Sequence, residues 1–209
     1  ENFFGGNPFG GGRNRGRAGP PPGEDQEIVL DLMFDEAVFG VDKKVEIQTA
    51  LACDNCAGSG AAKGTSPRSC TACGGVGQVR QVRQSLLGQM VTTAPCPTCG
   101  GLGEEIASPC SVCRGEGRYS DSMSYEVRVP AGVDSGSTLR LTGRGAAGPR
   151  GGPSGDLYVH LRVEESDKFV RDGDSLRAQL EVTMLQAALG ARIDFETLDG
   201  VVQLAIPPG

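Results

Sequence analysis

The sequence predicts an all-β protein of two sandwich-like β modules in tandem, elongated, the first interrupted by an inserted cysteine-rich arm built on a β-hairpin. Three observations predict it. Apolar residues recur at period two in several short runs, the signature of half-buried strands. Thirty-three glycines and 13 prolines in 209 residues, with aromatics at 5% and no tryptophan, leave little material for one large core. All eight cysteines lie in four copies of one unit, CxxCxGxG, at Cys53–Gly60, Cys70–Gly77, Cys96–Gly103 and Cys110–Gly117. None is left over.

Composition also excludes functions. A net charge of −6 argues against a general binder of nucleic acid or of anionic membranes. The apolar runs are far shorter than the ~18 residues that a membrane span requires. The chain opens on Glu1-Asn2-Phe3-Phe4, without an initiator methionine or the basic start of a secretory signal, and reads as a fragment of a longer protein. With no sign of export the expected location is the cytoplasm, where paired cysteines read as metal ligands before disulfides.

Residues 1–23 read as a flexible linker. Phe3, Phe4 and Phe9 sit among glycines, Arg13, Arg15 and Arg17 follow, and Pro20, Pro21 and Pro22 close the stretch. The first β module is expected over 24–51 and 119–163. It opens on a strand with Ile28, Leu30, Leu32 and Phe34 on one face; Asp35 caps a short turn through Val38, and Gly40 ends it. A second strand places Val41, Val45, Ile47, Thr49 and Leu51 on one face and runs straight into Cys53.

The insertion covers 52–118. Two thiolates separated by two residues on a tight turn grip one side of a tetrahedral metal, so four pairs furnish two four-cysteine shells and two zinc ions per chain. Glycines at fixed offsets let the backbone wrap the metal at positive φ. Gln78–Arg83 and Gln89–Thr93 read as a hairpin around Leu86-Leu87-Gly88, which brings the second and third units together. Tyr125, Val127 and Val129 then resume the parent module, so the ends of the insertion must also meet. Nested pairing follows: Cys53, Cys56, Cys110 and Cys113 form one site, and Cys70, Cys73, Cys96 and Cys99 the other. Spacing alone also allows sequential pairing. Such closed shells leave no open position for metal-activated water, so the expected role is structural and no enzyme is expected.

Beyond Pro130, Leu139 and Leu141 mark a short strand, and residues 142–155, rich in glycine and proline beside Arg144 and Arg150, read as a mobile surface loop. Leu157, Val159, Leu161 and Val163 form the next strand face. His160, the only histidine, points the other way beside Tyr158 and Arg162, with no carboxylate or nucleophile partner visible for catalysis. A second module is expected over 164–209. It has alternating Leu176, Ala178, Leu180 and Val182, a short helix from Thr183 to Leu189 closed by Gly190, a strand with Ile193 and Phe195, a turn at Asp199-Gly200, and a strand with Val202, Leu204 and Ile206. It reads as incomplete at Pro207-Pro208-Gly209.

This order of parts resembles the DnaJ family, the class A J-domain co-chaperones, over essentially the whole chain. The fourfold cysteine motif is highly specific for that family. Short matches outside it agree: Glu36–Gly40, Val129–Val133, Gly155–Leu157 and Gln186–Gly190. The resemblance implies a co-chaperone that binds apolar segments of unfolded client polypeptides, prevents their aggregation and passes them to a DnaK-type ATPase, with a nucleotide exchange factor involved only indirectly. It implies a client groove at Val45, Ile47, Met123 or Tyr125, and Phe169, which stands in a charged hinge where no strand is apparent. The family's His-Pro-Asp tripeptide and its C-terminal dimerisation segment are not found, so a dimeric parent and a monomeric fragment are expected. Asp167-Lys168-Phe169 departs from the His-Pro pair that relatives commonly place before the phenylalanine.

Two rivals are weighed. CxxC is also the dithiol of thiol-disulfide isomerases, but metal-held thiolates are poorly available for exchange. Nucleic-acid binding through the arm fares worse. From Ala52 to Arg118 six basic and four acidic residues, together with two dianionic metal–thiolate shells, leave the span negative, and no aromatic there can stack on a base.

Overall fold

The computed structural model describes residues 19–85 and 88–209. The linker expected at its start lies outside the described residues over 1–18, including Phe3, Phe4, Phe9 and the three arginines; so do Leu86 and Leu87 of the arm's turn. Strand dominates the regular structure, as the all-β reading expects. No helix among the described residues is long and apolar enough to cross a membrane.

The first strand, β1 (Gln26–Leu32), alternates half-buried and exposed positions and ends on the fully buried Leu32. Helix α1 (Phe34–Phe39) follows. Phe34 therefore belongs to the helix rather than to the strand, and Met33, not Asp35, is the N-cap. The reason is local: the backbone N–H of Met33 donates to Glu36 Oε2 at 2.8 Å, which starts the helix two residues earlier than an aspartate cap would. Gly40, at φ 81°, closes it. Then come β2 (Val41–Ala52), the short β3 (Arg68–Ser69), the hairpin strands β4 (Gln78–Ser85) and β5 (Gly88–Pro95), β6 (Glu104–Glu105) and the long β7 (Arg118–Val129). The remaining strands are β8 (Thr138–Leu141), β9 (Leu157–Val163), β10 (Phe169–Asp172), β11 (Ser175–Ala178), β12 (Ala191–Thr197) and β13 (Gly200–Ile206), with helix α2 (Met184–Leu189) before β12. Hydrogen bonds join β1, β9 and β8 in that order, and pair β2 with β7, β3 with β6, β4 with β5, β10 with β11 and β12 with β13.

The chain divides into two compact units. Of the described residues, one comprises those from 19 to 26, Ile47–Met123 and Arg140–Leu157; the other comprises Glu27–Glu46, Ser124–Leu139 and Tyr158–Gly209. The first holds the arm and a finding that corrects the sequence reading. Residues 142–155 are not a loose surface loop. Ala146 and Ala147 are buried, and their N–H groups donate to Glu24 O at 3.0 Å and Ala50 O at 2.7 Å. Arg118 Nη1 donates to Ala147 O at 2.9 Å, and Arg150, held at φ 49°, donates from its backbone to Glu116 O at 2.9 Å. Small residues allow this packing, because a Cβ on Gly152 would fall 2.0 Å from Pro21 O.

Asp156 closes the same segment. It accepts from Gly143 N–H at 2.7 Å and from Arg140 Nε at 2.8 Å, and those two donors, in that order, hold its carboxyl below the usual carboxylate range. A depressed folded value means stability that is present at neutral pH and lost as pH falls through that value, below ~3.9. Thermal unfolding from pH 6 to pH 2 is expected to show that acid loss, and D156N to flatten it; an unchanged slope in the variant refutes the assignment.

The second unit buries Leu32, Ala37, Val45, Val127, Val129, Val159, Leu161 and Phe169. His160 faces away from this core. Its Nδ1 lies 2.9 Å from Thr138 Oγ1, and its Nε2 is 3.5 Å from Glu27, an exposed surface pair rather than a catalytic one. The alternation expected through Val182 stops at Ala178, because Phe169↔Ala178 is the terminal pair of the β10–β11 ladder and residues beyond it have no partner strand among the described residues. Helix α2 forms as expected, with Gln186 N–H donating to the Thr183 hydroxyl and the Gln186 side chain accepting from Thr183 N–H. In the last hairpin Thr197 pairs with Gly200, so the turn is Leu198-Asp199 and Gly200 already opens β13.

Candidate metal centre

Each CxxCxGxG unit is a knuckle whose second cysteine sulfur accepts a hydrogen bond from the N–H of the unit's last glycine. Gly60 donates to Cys56 at 3.3 Å, and Gly77 to Cys73, Gly103 to Cys99 and Gly117 to Cys113 at 3.2 Å each. These glycines have φ between 74° and 77°, the left-handed region. Space enforces the choice too: a Cβ on Gly117 would lie 2.1 Å from Gly58 O, and one on Gly103 2.4 Å from Gly75 O.

Those close approaches are made by knuckles in pairs. Cys53 N–H donates to Gly117 O while Cys110 N–H donates to Gly60 O; Cys70 N–H donates to Gly103 O while Cys96 N–H donates to Gly77 O, all at 2.8 Å. The reciprocal bonds join the first unit to the fourth and the second to the third. The β4–β5 hairpin, in register from Gln78↔Pro95 to Ser85↔Gly88, follows the second unit and precedes the third, and β3 and β6 pair Arg68 with Glu105 and Ser69 with Glu104.

Two sulfur clusters result. Cys53, Cys56, Cys110 and Cys113 form one, and Cys70, Cys73, Cys96 and Cys99 the other; within each the sulfurs all lie within 4.8 Å of one another. Cys56 and Cys113 are 3.7 Å apart, Cys70 and Cys96 3.9 Å, and Cys73 and Cys99 3.8 Å. A disulfide needs about 2.05 Å. A tetrahedron with metal–sulfur bonds of about 2.3 Å has edges of about 3.8 Å, so the donor set and its spacing fit a four-coordinate metal. Without a metal the thiols of a cluster are held apart in proton affinity. Cys110 is drawn down to about 6, by Cys113 N–H first and then the Asn55 amide, and Cys96 to about 7, by Cys99 N–H first. Burial pushes Cys56 up to about 11, and a hydrogen bond to Glu105, then burial, pushes Cys70 up to about 12. Only Cys56 and Cys73 are more than slightly exposed, which leaves little accessible sulfur for disulfide exchange.

The family model described as the DnaJ C terminal domain matches residues 26–209. The chain belongs to the DnaJ family. It is 45% identical over its whole length to chaperone protein DnaJ 1 of Mycolicibacterium paratuberculosis and 44% identical to chaperone protein DnaJ 2 of Mycobacterium tuberculosis, covering 55% of each. It is also 42% identical, over 95% of its own length and 52% of the relative's, to chaperone protein DnaJ of Gloeobacter violaceus. The chain thus spans about half the length of these DnaJ relatives, and the resemblance read from its cysteine units is borne out.

The residues that the DnaJ resemblance marks for client contact fall in both units, Ile47 and Met123 in the first and Val45, Tyr125 and Phe169 in the second. Val45 and Ile47 are buried on β2; on β7 Met123 is exposed and Tyr125 half-buried. In the second unit the hinge reading is corrected: Phe169 begins β10 and is only 8% exposed. Four residues are too short a run to show periodicity in the sequence. Its ring stacks on Phe34, centroids 6.5 Å apart and 10° from parallel, and meets Phe195 edge-on at 6.2 Å. It lines a cavity of about 360 Å³ with Phe34, Ala37, Val38, Val133 and Val163. Val45, Ile47, Met123 and Tyr125 do not line it. Arg171 braces the wall, donating to Gly132 O and Val133 O at 2.7 Å each. Neither Phe34 nor Arg171 carries a motif that would have exposed its place.

Proposed function

We propose that this chain is the client-binding and zinc-carrying part of a cytoplasmic co-chaperone. It holds apolar segments of unfolded polypeptides for delivery to a DnaK-type ATPase chaperone, and it catalyses no reaction itself. The observation that carries the reading is the cavity in the second unit: seven apolar residues around a space large enough for one or two side chains of an extended peptide, rimmed by Asp134, Glu164, Glu165 and Arg171. Phe169 forms part of its wall, and among the residues named from the resemblance it is the one we assign to client contact. Zinc is the metal we assign to Cys53, Cys56, Cys110 and Cys113 and to Cys70, Cys73, Cys96 and Cys99, because tetrahedral all-thiolate shells suit it and the glycine-rich arm has almost no apolar core of its own.

The test is titration of the chain with a fluorescent, extended, leucine-rich peptide. Val133 is half-buried at the cavity, so Val133→Trp fills the space without removing a core residue. Peptide affinity is expected to fall at least tenfold while the melting temperature holds. Undiminished binding by the filled variant places clients somewhere else.

A further inference from the structure

The cavity of the second unit is apolar within and acidic at its rim. Three carboxylates, those of Asp134, Glu164 and Glu165, stand there against one guanidinium, that of Arg171. Arg171 is occupied with the wall itself. Besides its bonds to Gly132 O and Val133 O, its Nε donates to Gly173 O at 3.0 Å, and its Nη1 lies 3.2 Å from Asp134 Oδ1. The cations next to the rim in sequence are engaged as well, Arg162 by Asp31 and Lys168 by Glu196. Glu164 and Glu165 are exposed and form no ion pair among the described residues. Three carboxylates against one guanidinium leave two negative charges at the mouth.

These two glutamates stand on a held backbone. Glu164 N–H donates to Leu32 O at 2.9 Å and Val163 N–H to Ser135 Oγ at 3.3 Å, while the Ser166 hydroxyl accepts from the N–H groups of Lys168 and Phe169 at 3.3 Å each. A charge fixed at the edge of an apolar space acts more strongly once a bound segment displaces water from it, because the Coulomb energy rises as the effective dielectric constant falls. Val170, which also lines the cavity and is 68% exposed, offers an apolar surface on which the aliphatic stem of a lysine or arginine can lie while its charged head reaches a carboxylate. A neutral flank gains nothing from this rim, and an acidic flank meets like charges with no cation to offset them.

We propose that the cavity selects for basic flanks: among apolar segments it takes those whose anchoring side chain has a lysine or arginine within a few positions, and it turns away those with acidic flanks. This rests on the client-binding reading above and adds the chemistry of the flank. The preference is electrostatic. It therefore weakens as salt shortens the screening length from about 30 Å at about 0.01 M to about 3 Å at about 1 M.

The experiment titrates the chain with three fluorescent peptides that share a leucine-rich centre and carry lysine, glutamine or glutamate on both sides. At about 0.01 M ionic strength the lysine peptide is expected to bind about tenfold more tightly than the glutamate peptide, with the glutamine peptide between them; at about 1 M the three converge. E164Q with E165Q should remove most of that spread at an unchanged melting temperature, and E164K with E165K should reverse its order. D42N with E46Q alters the net charge by the same amount at exposed positions of β2 that do not line the cavity, and is expected to keep the spread. Binding of none of the three peptides, or undiminished binding of all three by Val133→Trp, overturns the client-binding reading and the inference with it. Equal affinities at low salt, tighter binding of the glutamate peptide, a spread unchanged in E164Q with E165Q, or a spread lost equally in D42N with E46Q overturns the inference alone.

Discussion

Replacing Cys110 by serine is expected to reduce the metal content from two ions per chain to one and to unfold the base of the arm. Cys110 has two roles at once. Its sulfur completes the outer cluster, and its N–H donates to Gly60 O in one half of the reciprocal pair that joins the first knuckle to the fourth. Few apolar side chains stand behind these bonds: among the described residues the outer cluster packs Tyr119 beside the cysteines, and the inner cluster Val79. Structural four-ligand zinc sites contribute on the order of 10–16 kcal/mol in small peptides at neutral pH, more than the whole stability of many domains, so losing the ion removes most of what holds the knuckles. The inner cluster has its own knuckle pair and the β4–β5 hairpin, and is expected to keep its ion. Metal counting together with hydrogen exchange reads the result: fast exchange over 53–60 and 110–117, with protection retained over 78–85. A count that stays at two rules out Cys110 as a ligand, and a count of zero rules out independent sites.

The second large effect is expected from Phe169→Ala. The ring is almost fully buried between Phe34 and Phe195, and removing it leaves a hole that β10 cannot close, since Val170 on the same strand points to solvent at 68% exposure. Large-to-small aromatic changes in a core cost about 3–5 kcal/mol, and each aromatic pair contributes about 0.5–1.5 kcal/mol beyond its area. Denaturant unfolding of F169A should show that loss, while F169L should recover more than half of it. Peptide titration separates packing from recognition. If Phe169 contacts clients, F169L remains stable but binds the leucine-rich peptide more weakly. Binding by F169L equal to that of the unaltered chain confines the residue to packing.

Phe169 also shows where sequence reasoning stops. Strands such as β1, β2 and β9 are legible because each has enough residues for alternation to repeat, and their burial follows it. β10 has four residues, one of them an arginine and one an aspartate, and exists because β11 pairs with it from Phe169↔Ala178 to Asp172↔Ser175. The loop at 142–155 misleads for a related reason. Glycine, proline and alanine read as freedom in one dimension, yet the same small residues let Ala146 and Ala147 pack among Glu24, Ala50 and Arg118, none of them near in sequence.

The cysteine units show both sides. Four identical spacings determine by themselves that the thiols could hold metals, that there are enough for two shells, and to which family the chain belongs, because metal geometry demands ligands and glycines at fixed local offsets. Spacing could not choose between nested and sequential grouping. The hairpin pattern at 78–93 and the strand resumed at Tyr125 point to nesting, and the bonds that make it join knuckles far apart in the chain, Cys53 to Gly117 and Cys70 to Gly103. Asn55, whose amide donates to Cys110 Sγ, carries no motif either, and only the folded arm sets it there.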